Sequence, residues 1–185
     1  MNVLLINGSP HDLGEGSRAL DIVSDVLVSR GISVRRHGVG EFLGRGCIAC
    51  RACKNGGGCI FGDITELSRE FSDSVGLILS SPVYYAAPNG ALVSILDRLF
   101  QSSKFDKRMK LGAAIVTARR GGSTSALDVL NKYFSISEMP IVTSSYWNFL
   151  YTGGDTEGEG VLKRLGENFA DLAYVIHAGR ASFDK

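Results

Sequence analysis

Short apolar runs alternate with segments of helical period five times along the chain, and this alternation constrains the fold more than any other feature. Continuous apolar runs that end in turn residues are typical of strands buried in a parallel sheet. The sequence predicts strands at 3–6, 32–36, 75–79, 111–116 and 140–144, and helices at 17–30, 63–72, 90–100, 125–134 and 159–177. We therefore expect an α/β three-layer sandwich with a five-stranded parallel sheet and helices on both faces.

Length and charge narrow the class of protein further. At 185 residues the chain predicts a single domain, 1–185, and a net charge of +1 gives no field for nucleic acid. The first apolar run is too short for a secretory signal, and no run approaches a membrane span. We expect a cytoplasmic protein in a reducing compartment, where clustered cysteines indicate metal binding or redox chemistry.

The loops that follow the predicted strands are expected to carry the function. They span 8–16, 43–61, 81–89, 117–123 and 145–158. In an open parallel sheet these loops share the carboxyl edge, which is where ligands bind.

The loop after the first strand, GSPHDLGEGS, favours a phosphate. Its serines and glycines offer hydroxyls and backbone amides at a helix N-terminus, where the dipole is positive. A monophosphate fits best, held by Ser9 and Ser17 with charge from His11 or Arg18. The alternative is an ordinary turn that Ser17 caps.

The loop after the third strand, SSPVYYAAPNG, favours a planar ring. Two prolines stiffen it, and Tyr84 and Tyr85 provide flat amphipathic surface for stacking. The alternative is a tight turn with the tyrosines packed on the sheet edge.

All four cysteines fall in one Gly-rich segment with the spacing C-x2-C-x2-C-x5-C. The first three positions match the wrap used for iron–sulfur cubanes, and a fourth thiolate follows a short loop. Zinc also takes four thiolates, and a third alternative is no metal, with reduced thiols or a disulfide. The candidate metal ligands are Cys47, Cys50, Cys53 and Cys59.

Taken together, these segments resemble a known family. INGSP, SPVYYAAPNGALVSILDRLF, CIACRACKNGGGC, TARRGGSTSALDVLNKYF and SSYWNFLY are similar to the flavodoxin-like NADPH-dependent FMN reductases, and most similar to their iron–sulfur flavoprotein branch. The resemblance implies a sheet of order 2-1-3-4-5, FMN as cofactor, NADPH or NADH as donor and a 4Fe-4S cluster on the cysteines.

The resemblance also implies where the FMN binds. Its phosphate would lie on residues of the first loop: Ser9, His11, Gly16, Ser17 and Arg18. Its ring would lie along the third loop, near Asn89: Pro82, Val83, Tyr84 and Tyr85. The pyrimidine side would be closed by the loop after the fourth strand: Ala118, Arg119, Arg120, Gly121 and Gly122.

The function that follows is an oxidoreductase passing electrons from a nicotinamide through FMN to a flavin, a quinone, oxygen or the adjacent cluster. No side-chain catalyst is expected, because the flavin performs the chemistry. The alternatives are a non-enzymatic FMN/iron–sulfur carrier serving ferredoxin, and a cysteine-based redox sensor.

Two spatial expectations complete the interpretation. Strand spacing places the cysteine segment roughly 10 Å from the ring loop. A homodimer or homotetramer is expected, with the aromatic segment at 146–151 covering the ring.

Overall fold

A computed structural model describes the backbone of residues 1–183 and the side chains of residues 1–179. The strands are β1 (Asn2–Asn7), β2 (Ser33–Gly38), β3 (Gly76–Tyr84), β4 (Ala87–Pro88), β5 (Leu111–Ala118) and β6 (Phe149–Tyr151). The helices are α1 (Glu15–Ser29), α2 (Thr65–Asp73), α3 (Gly90–Ser102), α4 (Ser123–Ile136) and α5 (Thr156–Phe183).

The sheet has the order β2-β1-β3-β5-β6, and all four pairings along this path are parallel. The predicted order 2-1-3-4-5 is confirmed, because β5 and β6 are the fourth and fifth strands of the parallel path. The short β4 stands outside the path and pairs antiparallel with β3.

Two hydrophobic cores cover the two faces of the sheet. Leu4 and Ile6 of β1 contribute to the core under α2, α3 and α4, whereas Val3 and Leu5 contribute to the core under α1 and α5. This alternation follows from the two-residue period of a strand, which sends successive side chains to opposite faces. The expected three-layer architecture is confirmed.

The predicted fifth strand at 140–144 is wrong. There the chain makes one isolated bridge, between Ile141 and Gly112, and it forms a strand only at Phe149–Tyr151. Asn148 secures the return, since its backbone carbonyl accepts from the Val116 amide at 2.9 Å and its side chain donates to the Ala114 carbonyl at 3.0 Å. Residues 142–148 belong to no strand, and Tyr151 lies within the strand rather than after it.

Element bounds near the carboxyl edge also differ from the prediction. Helix α1 begins at Glu15 with Gly14 as its N-cap, so Ser17 lies in the first turn and is not the cap. Strand β3 extends to Tyr84, well past the predicted end at 79, because a hairpin with β4 continues its pairing. The ring loop is therefore a hairpin.

Among the described residues, no helix combines the length and apolar character needed to cross a bilayer.

Candidate functional site

The candidate phosphate loop is fixed to the sheet by short buried contacts. The Gly8 amide donates to the Ser80 carbonyl of β3 at 2.7 Å. The side chain of Asn7 accepts from the Ser9 amide at 3.0 Å and from the Ser80 hydroxyl at 3.2 Å. The Ser9 hydroxyl in turn accepts from the His11 amide at 3.1 Å. These bonds shape the loop before any ligand arrives.

Close approach explains the glycines of this loop. A Cβ at Gly8 would stand 2.5 Å from the Ser80 carbonyl oxygen, and one at Gly16 would stand 3.0 Å from Asn7 Oδ1. Gly8 leaves no room for a side chain, because the blocking atom is backbone, whereas at Gly16 the Asn7 amide would have to shift by a few tenths of an ångström. The close packing of Gly16 is a separate matter from its candidate role toward a phosphate.

The cations of this region are placed differently from the expectation. Arg18 donates to Glu15 and to Glu159 of α5, so its charge is already paired. Arg36, near the end of β2, donates to the hydroxyl of Ser17 and to Asp21. Sequence reasoning missed Arg36, although the predicted order already places the end of the second strand beside the first loop.

A cavity of about 360 Å³ opens where β1 and β2 end. Asn7, Ser17 and Arg36 line it together with Asp12 and His37. His11 is exposed at the tip of the adjacent loop. The structure therefore brings Ser9, Gly16 and Ser17 together and adds Arg36 to them.

His37 forms a hydrogen-bonded cluster beside this cavity. Its two ring nitrogens lie 2.7 Å from a carboxylate oxygen of Glu41 and 2.6 Å from one of Glu70. Burial alone would lower the pKa of His37, but the bonds and charges of the two glutamates outweigh it and raise this pKa above its ordinary value. The cluster sits where the chain leaves β2 for the cysteine segment.

The candidate ring loop is a two-residue hairpin with an unusual turn. Tyr85 and Ala86 both adopt left-handed backbone angles, with φ of 51° and 59°. Such a turn matches the twist of the strands but normally takes Asn-Gly, because other residues are strained there. Non-glycine residues with left-handed backbone angles cluster at functional sites. Tyr84 and Tyr85 are exposed, and Pro82 and Val83 are half-buried at the base.

Asn89 joins the hairpin to the phosphate loop. Its side-chain amide donates to the Gly8 carbonyl at 2.7 Å, and its side-chain oxygen caps α3 by accepting from Ala91 at 2.9 Å. Its backbone amide donates to the Ser81 hydroxyl at 2.9 Å. Asn89 was expected near the ring; the structure uses its side chain to hold two loops in one unit.

The loop after β5 packs against the same hairpin. Gly122 has a φ of 91°, and a Cβ there would lie 2.8 Å from Ala86 Cα. Arg119, Arg120 and Gly121 are exposed, while Ala118 is buried as the last residue of β5. The three candidate flavin loops are therefore contiguous.

An aromatic cavity of about 390 Å³ lies on the far side of this loop. Tyr146, Trp147, Phe149 and Tyr151 form a continuous run of ring contacts along it. The residues around Gly122 form its opposite wall. The aromatic segment therefore lies next to the candidate flavin loops.

All four cysteines line one cavity of about 280 Å³. Each is a free thiol; Cys47 and Cys50 are exposed, and Cys53 and Cys59 are half-buried. Among the described side chains, no three of Cys, His, Asp or Glu stand together in the arrangement that a single metal ion requires. Zinc and a cluster differ in this respect, since a cluster spreads its thiolates around several irons.

One buried ion pair anchors the cysteine segment. Arg98 of α3 binds both carboxylate oxygens of Asp63, and it donates to the Leu43 carbonyl at 2.8 Å. Asp63 accepts from the Leu43 amide at 2.9 Å. Burial alone would raise the pKa of Asp63, but the bonds from Arg98 and Leu43 outweigh it and hold this pKa below its usual range.

Few hydrogen bonds within the chain hold the start of the segment between Leu43 and Asp63. Within residues 1–179, residues 44–50 make no hydrogen bond. Ala49 and Arg51, on either side of Cys50, adopt left-handed φ angles of 52° and 64°. Each costs of order 1–3 kcal/mol and persists only when its surroundings impose it. A group that takes the neighbouring sulfurs would impose it.

The cysteine cavity lies farther from the ring hairpin than strand spacing suggests. Its walls include Arg98, Gln101 and Ser102 in the last turns of α3, whereas the hairpin meets α3 at Asn89. At 1.5 Å rise per residue, Arg98 lies about 14 Å along the helix from Asn89. The lateral figure of roughly 10 Å is only part of the separation.

The sheet order and the ligand loops at its carboxyl edge define a flavodoxin-like protein. Within that class, the chain belongs to the NADPH-dependent FMN reductase family, whose profile matches residues 1–152. The resemblance noted in the sequence is thereby confirmed, and membership supports FMN as the cofactor of an oxidoreductase.

Individual relatives agree with this assignment. An iron–sulfur flavoprotein of Methanocaldococcus jannaschii is 26% identical over 191 residues, covering 95% of this chain and 99% of the relative. A second one from the same organism is 30% identical over 146 residues, covering 75% and 73%. An archaeal flavodoxin structure shares the fold, with a TM-score of 0.67 at 12% identity, covering 94% of this chain and 99% of the flavodoxin.

Proposed function

We propose that this protein binds FMN at the carboxyl edge and transfers electrons from NADPH or NADH to a flavin, a quinone or another acceptor. The observation that carries the proposal is the contact made by Asn89, which joins the phosphate loop to the ring hairpin in one buried unit. A ligand with a phosphate at one end and a flat ring at the other matches such a unit.

In this proposal the two ends of the unit have distinct tasks. Ser9, Ser17 and the amides of the α1 N-terminus hold the phosphate, and Arg36, which donates to the Ser17 hydroxyl and to Asp21, places a guanidinium at this end of the site. Pro82–Tyr85 carry the ring, and residues 118–122 approach its pyrimidine side. When bound, FMN supplies hydride acceptance from a nicotinamide and electron donation one or two at a time.

The exposed side chains at this edge give the donor and the acceptor a surface to meet. Arg119 and Arg120 are exposed next to Gly122, where a guanidinium can bind a nucleotide phosphate with two parallel bonds. Tyr84 and Tyr85 leave their rings open to solvent. These four side chains orient a second planar molecule without taking part in its chemistry.

We further propose that the four cysteines hold a 4Fe-4S cluster. They line one cavity as free thiols, the backbone around Cys50 is held in left-handed angles, and Arg98 lies beside Cys59. Four cysteine sulfurs that line one cavity beside a positive charge suit the requirements of such a cluster.

A homo-oligomer completes the proposal. Several large apolar side chains are exposed around the carboxyl edge and the cysteine cavity: Leu13, Ile48, Ile60, Tyr85, Tyr146 and Trp147. Large exposed apolar side chains that form a patch are typical of a protein interface. In this proposal a second copy seated there covers the flavin ring.

Anaerobic purification followed by cofactor analysis and stopped-flow reduction tests the function. We expect one FMN and about four irons per chain, and rapid loss of flavin absorbance on mixing with NADPH or NADH. The control is a variant with all four cysteines replaced by serine, which should lose the iron and keep the nicotinamide reaction. Protein that retains no flavin contradicts the proposal.

A second candidate function is electron transport from an acidic carrier such as ferredoxin. The segment 43–61 contains Arg45, Arg51 and Lys54 and no acidic residue, although the whole chain has a net charge of only +1. A cationic rim beside a redox centre favours an acidic protein partner. Flavin that bleaches with reduced ferredoxin but not with NADPH or NADH selects this candidate over the first.

A further inference from the structure

Arg98 is a buried cation on the wall of the cysteine cavity. Its side chain is 1% exposed, and it shares the cavity with Cys59. A guanidinium taken out of water must find partners for its donors, or the fold loses several kcal/mol. Its hydrogen bonds therefore show what the site is built to hold.

Of the three side-chain nitrogens of Arg98, the two terminal ones have hydrogen-bond partners and Nε has none among the described residues. Both terminal nitrogens bind Asp63, and one of them also binds the Leu43 carbonyl. The Nε–H is buried and has no hydrogen-bond partner among the described residues. Because buried donors are almost always satisfied, an orphaned one next to a cavity indicates an acceptor that occupies the cavity.

The chemistry of the cavity identifies the acceptor as sulfur. Its lining brings four thiols together, and the remaining walls mix apolar side chains such as Ile48, Ile60 and Phe61 with polar ones, among them Gln101 and Ser102. The Phe61 ring lies 5.6 Å from the Arg98 guanidinium carbon and shields it from solvent. Burial alone would lower the pKa of Arg98, but Asp63 and, to a smaller extent, the neighbouring Cys59 outweigh it and raise this pKa.

We propose that the Nε–H of Arg98 donates a hydrogen bond to a sulfur held in this cavity and thereby raises the reduction potential of the bound iron–sulfur cluster. This inference rests on the cluster proposed above. Reduction adds one electron and so increases the negative charge on the sulfurs, which a donor and a buried positive charge stabilise. Arg98 keeps its proton and gains no electron, so it acts as a positioning residue.

Arg45, whose guanidinium also lies near the Phe61 ring, provides a matched control. Its guanidinium carbon lies 5.1 Å from the same ring, but its side chain is exposed and it does not line the cavity. Charge at an exposed position is screened by water and salt. Comparing the two arginines separates a hydrogen bond inside the cavity from a general effect of positive charge.

The first test can overturn the inference with the wild-type protein alone. Wild-type protein labelled with ¹⁵N only in arginine is reduced by dithionite and studied by pulsed EPR. We expect a ¹⁵N coupling to the reduced cluster that persists in Arg45→Lys and disappears in Arg98→Lys, which keeps the charge and lacks Nε. An assembled wild-type cluster with no arginine ¹⁵N coupling overturns the inference, whatever the variants do.

The second test measures the potential by an EPR-monitored redox titration. In Arg98→Gln we expect the ratio of reduced to oxidised cluster at a fixed potential to fall about tenfold, which is about 59 mV for one electron. In Arg45→Gln we expect less than a twofold change. Equal shifts in both variants, or none in Arg98→Gln, contradict the specific donor.

These outcomes separate the two proposals. Wild-type protein that binds FMN but takes up no iron under anaerobic reconstitution overturns the cluster of the proposed function, and the present inference with it. A cluster that assembles without the ¹⁵N coupling or the difference in potential overturns the role of Arg98 alone.

Discussion

The candidate flavin loops at the carboxyl edge and the cysteine segment are held in opposite ways. At the edge, backbone contacts and buried amides lock the loops together: Gly8 on Ser80, Asn89 on Gly8, and Gly122 against Ala86. In the cysteine segment, residues 44–50 make no hydrogen bond within the described residues 1–179, and the ion pair of Arg98 and Asp63 is the main anchor.

This difference indicates two strategies for binding a cofactor. The edge is organised in advance, so that little conformational entropy is lost when a ligand binds. The cysteine segment leaves part of its order to whatever the sulfurs hold, as is common for metal-binding loops. Each strategy predicts where substitutions are damaging and where they are tolerated.

The largest expected effect comes from removing the anchor of the cysteine segment. Asp63→Ala leaves the Arg98 charge buried without its partner, and we expect the free energy of unfolding to fall by about 3 kcal/mol. Urea unfolding followed by circular dichroism measures it. The control is Glu66→Ala, which removes an exposed carboxylate nearby and should leave the midpoint unchanged. If the two variants unfold alike, the ion pair is not the anchor.

The next effect tests the rigidity of the flavin edge. Gly8→Ala places a methyl group 2.5 Å from a backbone carbonyl. We expect a loss of about 2 kcal/mol and release of FMN during gel filtration. Gly44→Ala is the matched change in the cysteine segment, where a Cβ meets nothing within 4 Å, and it should keep both stability and FMN. A tolerated Gly8→Ala means that the edge yields more than its contacts suggest.

The sequence predicts the two regions with different success. Apolar runs such as 3–6 and 75–79 identify the core strands, because burial on both faces demands continuous apolar residues. The strand at 149–151 is not predicted, since its position depends on the contacts of Asn148 with β5, which no local pattern encodes. The spacing of the cysteines alone predicts that they share one site, and all four line one cavity.

The partners of the site residues were harder to predict than the residues themselves. The sequence predicts Asn89 near the flavin ring, but its bond to the Gly8 carbonyl joins positions 81 apart in sequence. Arg36 and Arg98 were not assigned to either site, because their roles come from neighbours brought together by the fold. Local patterns report residue types, whereas charge pairing and orphaned donors require tertiary contacts.

A smaller effect of opposite sign tests the strained hairpin. Ala86→Gly removes the Cβ from a residue with a φ of 59°, so we expect a gain of about 1 kcal/mol in unfolding free energy. Ala87→Gly, one residue later in extended β4, should instead lose about 0.5–1 kcal/mol. Thermal unfolding of the FMN-free proteins compares them. A loss in both variants shows that the turn at Ala86 is not strained.

The smallest effect concerns His37, which stands between the two regions. The fold raises the pKa of His37 above its ordinary value of about 6.5 and lowers the pKa of Glu41, whose bonds to His37 and to the Gly38 amide outweigh its burial. The histidine contribution to stability is thus complete below about pH 6.5 and is lost as pH rises through the raised pKa. The Glu41 contribution is present above about pH 4.3 and is lost as pH falls.

The ion pair of His37 with Glu41 therefore stabilises the protein most between about pH 4.3 and about pH 6.5. In urea unfolding, His37→Gln should destabilise the protein more at pH 6 than at pH 8. The control is the double variant that carries Glu41→Gln as well as His37→Gln. Because the imidazole is already absent, the loss of the Glu41 carboxylate should not change the difference in stability between pH 6 and pH 8. Since Phe42 packs edge-on against the His37 ring at 5.8 Å and leads into the cysteine segment, the same pH change reports on coupling between the regions. If His37→Gln destabilises the protein equally at pH 6 and pH 8, protonated His37 does not couple the carboxyl edge to the cysteine segment.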